Sequence, residues 1–369
     1  MMPRENAIKQ NKGFTTGSAA TAATKASLLM LIKKKVMDSV TIMTPAHIEY
    51  KAGIYDQLIT DDFAECAVIK ESGDDPDVTA GIKIVSRVSF KDEQGISIIG
   101  GEGVGKVTRP GLDQKVGEYA INSTPRKMIS EIVGNILDSF DIEYGVNVEI
   151  SVPDGRMIAE KTFNPHMGIE GGISIIGTSG IVEPMSLKAV IDTIKLDTKI
   201  KYSEGREKCI IVPGNYGVTF LKNNYGIDDK EIVLCSNFVG DSMKIAAECG
   251  FKKILFCSHI GKMIKVSGGI MNTHSQYGDR RMEFMCDAYE EACEELRAES
   301  KKSIKDEIMN CVSTTAALEV LEGINFIKPV CEVIVKKTLV NLKKEISHTI
   351  EIECILYENS YGELARIVG

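Results

Sequence analysis

Three carboxylates fall within four residues in ESGDDPDV, at Asp74, Asp75 and Asp77. Carboxylates this close can share a divalent cation such as Mg²⁺ or raise one another's pKa, and the same letters also spell an Asp-Pro turn with solvated charges. His259 and His274 bring imidazole, the side chain that titrates near neutrality, so either could act as a general base. As a metal pair they lack a third ligand at a recognisable spacing. The third group is cationic: Lys106, Arg109, Arg126, Lys127, Lys262, Lys265, Arg280 and Arg281 sit in or beside glycine-bearing loops. Ammonium and guanidinium groups there suit carboxylate or phosphate recognition, and on an open surface they are merely solvated. Arg109, wedged between Thr108 and Pro110, fits the solvated reading least well.

One loop imitates a nucleotide site. In GISIIGGEGVGKVTRPG, residues 95–111, Gly100, Gly105 and Lys106 have P-loop spacing after a strand-like run. A P-loop also needs Ser or Thr directly after the lysine, and a helix starting there whose free N–H groups face the phosphates. Val107 occupies that position, and Arg109-Pro110-Gly111 is turn chemistry that stops a helix. The hexapeptide GISIIG recurs at Gly172–Gly177, followed by TSGIVEP. Two buried strands of similar composition would produce the same repeat by chance.

The elements that must carry these residues differ between the two halves of the chain. SAATAATKASLLMLIKKK is rich in helix formers and follows Thr15-Thr16-Gly17, so a helix is expected to start near Ser18. Strand-like SVTIMT, ECAVIK, GIKIVSRVSF and GISII follow, then a helix near Arg126 to Phe140 and a strand at NVEISV, an α+β pattern. From about residue 205, KCIIVPGNYG, a short helix, EIVLCSN, GDSMKIAAECG and KKILFCSH read as βαβαβ, a Rossmann-like α/β unit with a ligand crevice at the carboxyl ends of its strands. Asp279 to Ser300 and Thr314 to Ser347 read as mostly helical, and HTIEIECILYE as a terminal strand. The expected domains are 1–195 and 196–369, with the boundary falling between Glu183 and Lys208.

With 43% apolar and 26% charged residues, 369 residues can bury two cores. A net charge of −8 has the wrong sign to collect nucleic acid or an anionic membrane, so neither is expected as a partner. Ten cysteines without CxxC or metal-type spacing read as reduced thiols of a cytoplasmic protein. MMPRENAIKQNKGFTTGS has no apolar core of a signal peptide, and no run approaches the roughly 18 apolar residues of a membrane span.

Loops of small and polar residues end the expected strands: GFTTGS, GGEGVGKVTRPG, FNPHMGIEGG, GTSGIVEP, VPGNYG, SNFVGD and SHIGKMIKVSGGIMNTHS. Each alone is an ordinary turn, but their number suggests backbone approaching a ligand closely. PGNYG is no GxGxxG, and Ser236-Asn237 rather than an acid ends the second strand. An adenosyl ligand held through backbone groups fits this better than a dinucleotide.

Along nearly its whole length the chain resembles the cobalt-precorrin-5B C(1)-methyltransferases, the CbiD family. The resemblance rests on GFTTGSAATAATKAS, IKESGDDPDVT, GGEGVGKVTRPGL, FNPHMGIEGGISIIGTSGIVEPMS, SNFVGD and HIGKMIKVSGGIMNTHS, in that order. Ser18-Ala19 stands where the family has Thr-Cys, and Ser123-Thr124 departs before the matching Pro125-Arg126. The resemblance implies S-adenosylmethionine as methyl donor and a cobalt-bearing tetrapyrrole polycarboxylate as acceptor. The crevice of the βαβαβ unit is where the donor is then expected, against Gly214, Asn215, Gly217, Asn237, Gly240 and Asp241 with His259 as catalytic base, the alternative being the N-terminal loops near Thr15-Thr16 and Gly101 to Gly105. The acceptor is expected against Thr15, Thr16, Asp74, Asp75, Lys106, Arg109, Arg126, Lys262, Asn272 and His274, without a protein-bound metal. Two rivals are a non-catalytic tetrapyrrole carrier and a phosphoryl-transfer enzyme using Lys106. A homo-oligomer stays open.

Overall fold

In the computed structural model, which describes residues 11–184, 186–346 and 350–369, the chain divides between Ser186 and Leu187 into two units. The expectation about the N-terminus falls on residues 1–10, and the ends of the expected C-terminal helix and strand fall on Ser347 to Thr349. Both lie outside the described residues.

The first unit is an α+β layer. Strand β1 (Gly13–Phe14) pairs with a strand near the unit's end, and α1 (Thr16–Lys33) follows at once. Thr15 caps α1 by accepting from the Ser18 N–H, so the helix starts two residues before the position expected from its apolar run. Its alanines are buried on every side, as in a helix enclosed by its neighbours. A hairpin of β2 (Ser39–Met43) and β3 (Glu49–Gly53) leads to β4 (Tyr55–Ile59), β5 (Phe63–Ile69), β6 (Lys83–Lys91), β7 (Ile96–Gly100), the short β8 (Lys106–Val107) and, after α2 (Ser123–Phe140), β9 (Gly145–Ser151). The main sheet runs β4-β5-β6-β9-β7, antiparallel except where β7 lies parallel to β9. Helices α1 and α2 cover it, and Leu28, Ile84, Ile129 and Ile150 share the core. A one-turn helix α3 (Gly155–Ala159) precedes β10 (Ile169–Glu170), which pairs with β8, and β11 (Ile181–Val182), which closes on β1.

The second unit opens with α4 (Leu187–Ser203). The expected division at 195/196 falls inside this helix, which belongs with the second core because Ile194 packs into it. Strands β12 (Lys208–Val212), β13 (Ile232–Leu234) and β14 (Lys253–His259) are joined by α5 (Asn215–Tyr225) and α6 (Val239–Cys249). After α7 (Ile260–Ser267), α8 (Arg281–Glu295), α9 (Lys302–Met309), α10 (Thr314–Glu322) and α11 (Ile327–Glu345) come β15 (Glu351–Glu358) and β16 (Gly362–Val368). The sheet order is β13-β12-β14-β15-β16, parallel except for β16.

The alternation of buried strand residues explains the layering. Cys209, Ile211, Ile254 and Phe256 face a core shared with α6, α7, α8 and α11, whereas Ile210, Val212, Leu255 and Tyr357 face α5. The chain leaves β12 for β13 on one side and returns across β12 to β14 on the other. This reversal opens a crevice at the carboxyl ends of β12 and β14.

Candidate functional site

That crevice is a cleft of about 530 Å³. Val212, Pro213, Gly214, Tyr216 and Gly217 line it from the end of β12, Ser258, His259, Gly261 and Lys262 from the end of β14, and Tyr357 and Asn359 from the end of β15. Arg281 and Ser313–Thr315 complete the wall. Three helices begin here, with Gly214, His259 and Ser313 as the caps of α5, α7 and α10. Tyr216 is 75% exposed at the rim, an aromatic face without cover.

Lys262 acts as a strut and as a source of charge. Its Nζ donates to the carbonyls of Pro213 (3.0 Å) and Ser236 (3.2 Å), tying together the ends of β12 and β13. Burial pulls its pKa below the ordinary lysine value, and no ion pair to it occurs among the described residues. Arg281, by contrast, is matched by Asp279, whose two carboxylate oxygens accept from Nε and Nη2 at 2.6 Å each.

His259 lines the cleft, but its Nδ1 is committed. Nδ1 accepts from the Gly261 N–H (3.1 Å) as the cap of α7, and Nε2 lies 3.8 Å from the buried Glu358. Glu358 itself accepts from Thr315 Oγ1 and from the N–H groups of Ser360 and Tyr361. A neutral ring that accepts at Nδ1 carries its proton at Nε2 and has no free lone pair for a substrate proton. The expected base therefore does the work of a helix cap. His274 does the same for the turn at Ser275–Tyr277, where Nδ1 accepts from the Gln276 N–H (3.2 Å).

Burial lowers the pKa of His259 below 6.5, and Glu358 offsets only part of that shift. The neutral cap thus contributes stability that is fully present above 6.5 and is lost as pH falls through the lowered folded value. His259→Asn, which keeps a capping side chain without a titrating group, is expected to flatten this acid-side loss in urea titrations across that range. An unchanged profile would contradict the assignment.

Asn215, Asn237, Gly240 and Asp241, expected at the donor site, stand apart from the cleft lining, as does Asn272, expected against the acceptor. Asn237, Gly240 and Asn272 stitch the start of α6 to residues 271–273. The Thr273 N–H donates to the Asn237 carbonyl, Thr273 Oγ1 bonds Asn237 Oδ1, the Gly240 N–H donates to the Met271 carbonyl, and Phe238 bridges to Asn272. Asp241 lies in the first turn of α6, where an acid suits the helix dipole. Asn215 begins α5 without lining the cleft. Gly217 is small for packing, since a Cβ there would stand 2.2 Å from Val212 Cγ1.

The first unit holds a separate cavity of about 340 Å³, lined by Thr15, Thr16, Lys70, Asp77, Val78, Thr79, Thr162, Phe163, Asn164, Ile173, Ser174, Ile176 and Val182. Thr16 Oγ1 accepts from the Ile176 N–H (2.9 Å) and donates to the Ser174 carbonyl (3.1 Å), so the second GISIIG is one wall. Lys70, 3% exposed, donates to Asp77 (2.5 Å) and to Ser72 Oγ (2.6 Å). Of the three clustered aspartates only Asp77 lines the cavity. Asp74 accepts from the Asn11 N–H (2.7 Å), and the Asp75 N–H turns back to the Ser72 carbonyl.

The loop after the first GISIIG takes a different course. Lys106 starts β8 instead of a helix and lies over the Tyr119 ring, 4.8 Å from its centroid. The Arg109 stem crosses Gly168, and its Nη1 donates to the His166 carbonyl (3.4 Å). Arg126 spends its guanidinium on backbone, with Nε on the Ile121 carbonyl (2.8 Å) and Nη1 on the Ile98 carbonyl (2.9 Å). Arg126→Ala is accordingly expected to cost about 2 kcal/mol of stability, read as a lower urea midpoint, rather than to act on acceptor affinity alone. A variant as stable as the parent would restore the ligand-binding reading.

Sequence reasoning missed Lys70, Thr314 and Tyr357. Tyr357 lies near the end of β15, which the antiparallel β16 follows, and only the parallel pairing of β15 with β14 brings it beside His259. Ser313-Thr314-Thr315 carries a capping signature that could have marked the start of α10.

Comparisons with known proteins cover both units. The CbiD family model matches residues 3–184, and the model of the CbiD C-terminal domain matches residues 272–367. A protein of Ruminiclostridium cellulolyticum named cobalt-precorrin-5B C(1)-methyltransferase is 40% identical over 360 residues, spanning 98% of this chain and 92% of that protein. Its namesake in Thermoanaerobacter sp. (strain X514) is 38% identical over 365 residues, spanning 97% of each chain. The solved structure of a cobalamin biosynthesis protein (cbiD) from Archaeoglobus fulgidus has 26% sequence identity and a TM-score of 0.39, covering 74% of this chain and 84% of that one.

Proposed function

The chain belongs to the CbiD family, and on that premise we propose that it methylates C1 of cobalt-precorrin-5B, with S-adenosylmethionine as the donor. The observation that carries this reading is the similarity to a cobalt-precorrin-5B C(1)-methyltransferase at 40% identity over 98% of the chain. The topology is compatible with it: an α+β unit precedes a Rossmann-like α/β unit whose crevice lies at a strand reversal.

In this reading the donor lies in the cleft at the ends of β12, β14 and β15, which is sized for a nucleoside with an amino-acid tail. Bound there, S-adenosylmethionine supplies a methyl group already activated on sulfur. The residues of the cleft then have to align it with the acceptor carbon and keep water out. The exposed Tyr216 offers a face for the adenine, and the backbone at Gly214 and Gly261 lets the ligand approach closely. Lys106 and Arg109 remain candidates for the acceptor's carboxylates, with the cavity around Lys70, Thr15 and Thr16 receiving one edge of the macrocycle.

The test is an anaerobic assay of the purified chain with cobalt-precorrin-5B and donor labelled in the methyl group. Label in the macrocycle at C1 is expected. Pigment binding without transfer would favour the carrier reading.

A further inference from the structure

Two hydroxyls reach the cleft from otherwise buried side chains and make no hydrogen bond among the described residues. Thr314 is 3% exposed and opens α10 directly behind its cap Ser313, whose own side chain is occupied by the Ala316 N–H. Its Oγ1 lies beside Gly261, 3.7 Å from where a Cβ would stand. Tyr357 is 2% exposed, stacks on Phe220 (4.2 Å between centroids) and receives the edge of His259, so its ring is fixed and its hydroxyl reaches the cleft beside Gly217. Lys262 adds a half-buried cation that keeps two of its three N–H groups on carbonyls and has no counter-ion among the described residues. A hydroxyl fixed on a buried side chain and left open towards a cavity presents a preset position that water or a ligand completes. All three groups can donate, and the uncompensated charge fixes the sign of what they receive.

We propose that Lys262, Thr314 and Tyr357 form the anchor for a carboxylate, that of the amino-acid end of the methyl donor. The inference rests on the reading that the donor occupies this cleft. An acetate or propionate arm of the acceptor presents the same chemistry, but a volume of about 530 Å³ suits a nucleoside-sized ligand better than a tetrapyrrole. The anchor would hold the tail of the donor at the strand ends and leave the nucleoside towards Tyr216 at the rim.

Calorimetric titration of the full chain with S-adenosylhomocysteine, and with 5′-methylthioadenosine, which lacks the amino-acid end, tests this. Lys262→Met is expected to weaken S-adenosylhomocysteine about 10- to 100-fold. The near-isosteric Thr314→Val and Tyr357→Phe should each weaken it several-fold, and 5′-methylthioadenosine should bind all variants alike. If Thr314→Val and Tyr357→Phe weaken both ligands equally, or neither, the anchor is wrong. Since Lys262→Met also removes a strut, those two variants decide the matter should it fail to fold. Gly261→Phe, which fills the cleft floor, separates the two levels: undiminished S-adenosylhomocysteine binding there would overturn the donor reading itself. Weaker binding of uroporphyrin in the Lys262 and Thr314 variants, with S-adenosylhomocysteine unaffected, would assign the anchor to an acceptor arm and overturn the donor assignment.

Discussion

Gly172→Ala is expected to destabilise the first unit by more than about 3 kcal/mol, enough to unfold much of it. A Cβ at Gly172 would stand 2.1 Å from the Gly103 carbonyl oxygen and 2.3 Å from its carbon, and both are backbone atoms that cannot rotate away. The contact is close because the second GISIIG runs parallel to the loop that follows the first. Ile173 bridges Val104 and Ile175 bridges Ile121, with the Ile173 N–H on the Gly103 carbonyl and the Gly105 N–H on the Ile173 carbonyl. Gly171→Ala provides the contrast. Gly171 has φ +80 with nothing within 4 Å, so alanine there meets only backbone strain of about 1 kcal/mol. Hydrogen exchange of peptides from residues 95–180 is the measurement. Equal protection in the two variants would contradict the packing account.

Lys70→Met is expected to cost about 3 kcal/mol, because it leaves Asp77 facing the cavity without its cation. Asp77 retains the Thr79 N–H and Oγ1 as donors and is a quarter exposed, which holds the cost at the low end for a broken buried pair. The pair also sets an acid limit. Burial alone would raise the Asp77 pKa, but the hydrogen bonds from Lys70 and Thr79 and the lysine charge outweigh it and hold the carboxyl below 3.8. This contribution is fully present above 3.8 and is lost as pH falls through the lowered folded value, so the acid limb of stability should shrink in Lys70→Met. Urea titration across that range checks both statements. Lys70→Met combined with Asp77→Leu should recover part of the loss. Full stability of Lys70→Met alone would show that the pair contributes nothing.

The second unit was largely legible because its chemistry is local. Apolar runs of three to seven residues bounded by Gly, Asn and Asp mark β12, β13 and β14, and a parallel arrangement fixes where their carboxyl ends meet. That reasoning reached Gly214, Gly217, His259 and Lys262, all of which line the cleft. It could not reach Tyr357, whose place depends on β15 pairing with β14 across about a hundred intervening residues. The capping role of His259 was out of reach for a different reason. Whether an imidazole is free or acts as a cap depends on the backbone N–H two residues on, which no spacing rule records. In the first unit β3 and β4 escaped notice because EYKAG and YDQLI carry charge and little apolar content, yet Tyr50 and Ala52 alternate inward. The three aspartates looked like one site, but successive residues in a turn diverge, and only Asp77 faces the buried lysine.

The proposed place of the methyl donor is the carboxyl ends of β12, β14 and β15. A crystal structure of the chain with S-adenosylhomocysteine tests it most directly. Adenosyl density is expected against Gly214, Tyr216 and Gly261, with the amino-acid carboxylate at Lys262, Thr314 and Tyr357. Adenosyl density contacting only residues before Glu183 would contradict it, while leaving the chain a methyltransferase with its donor in the first unit.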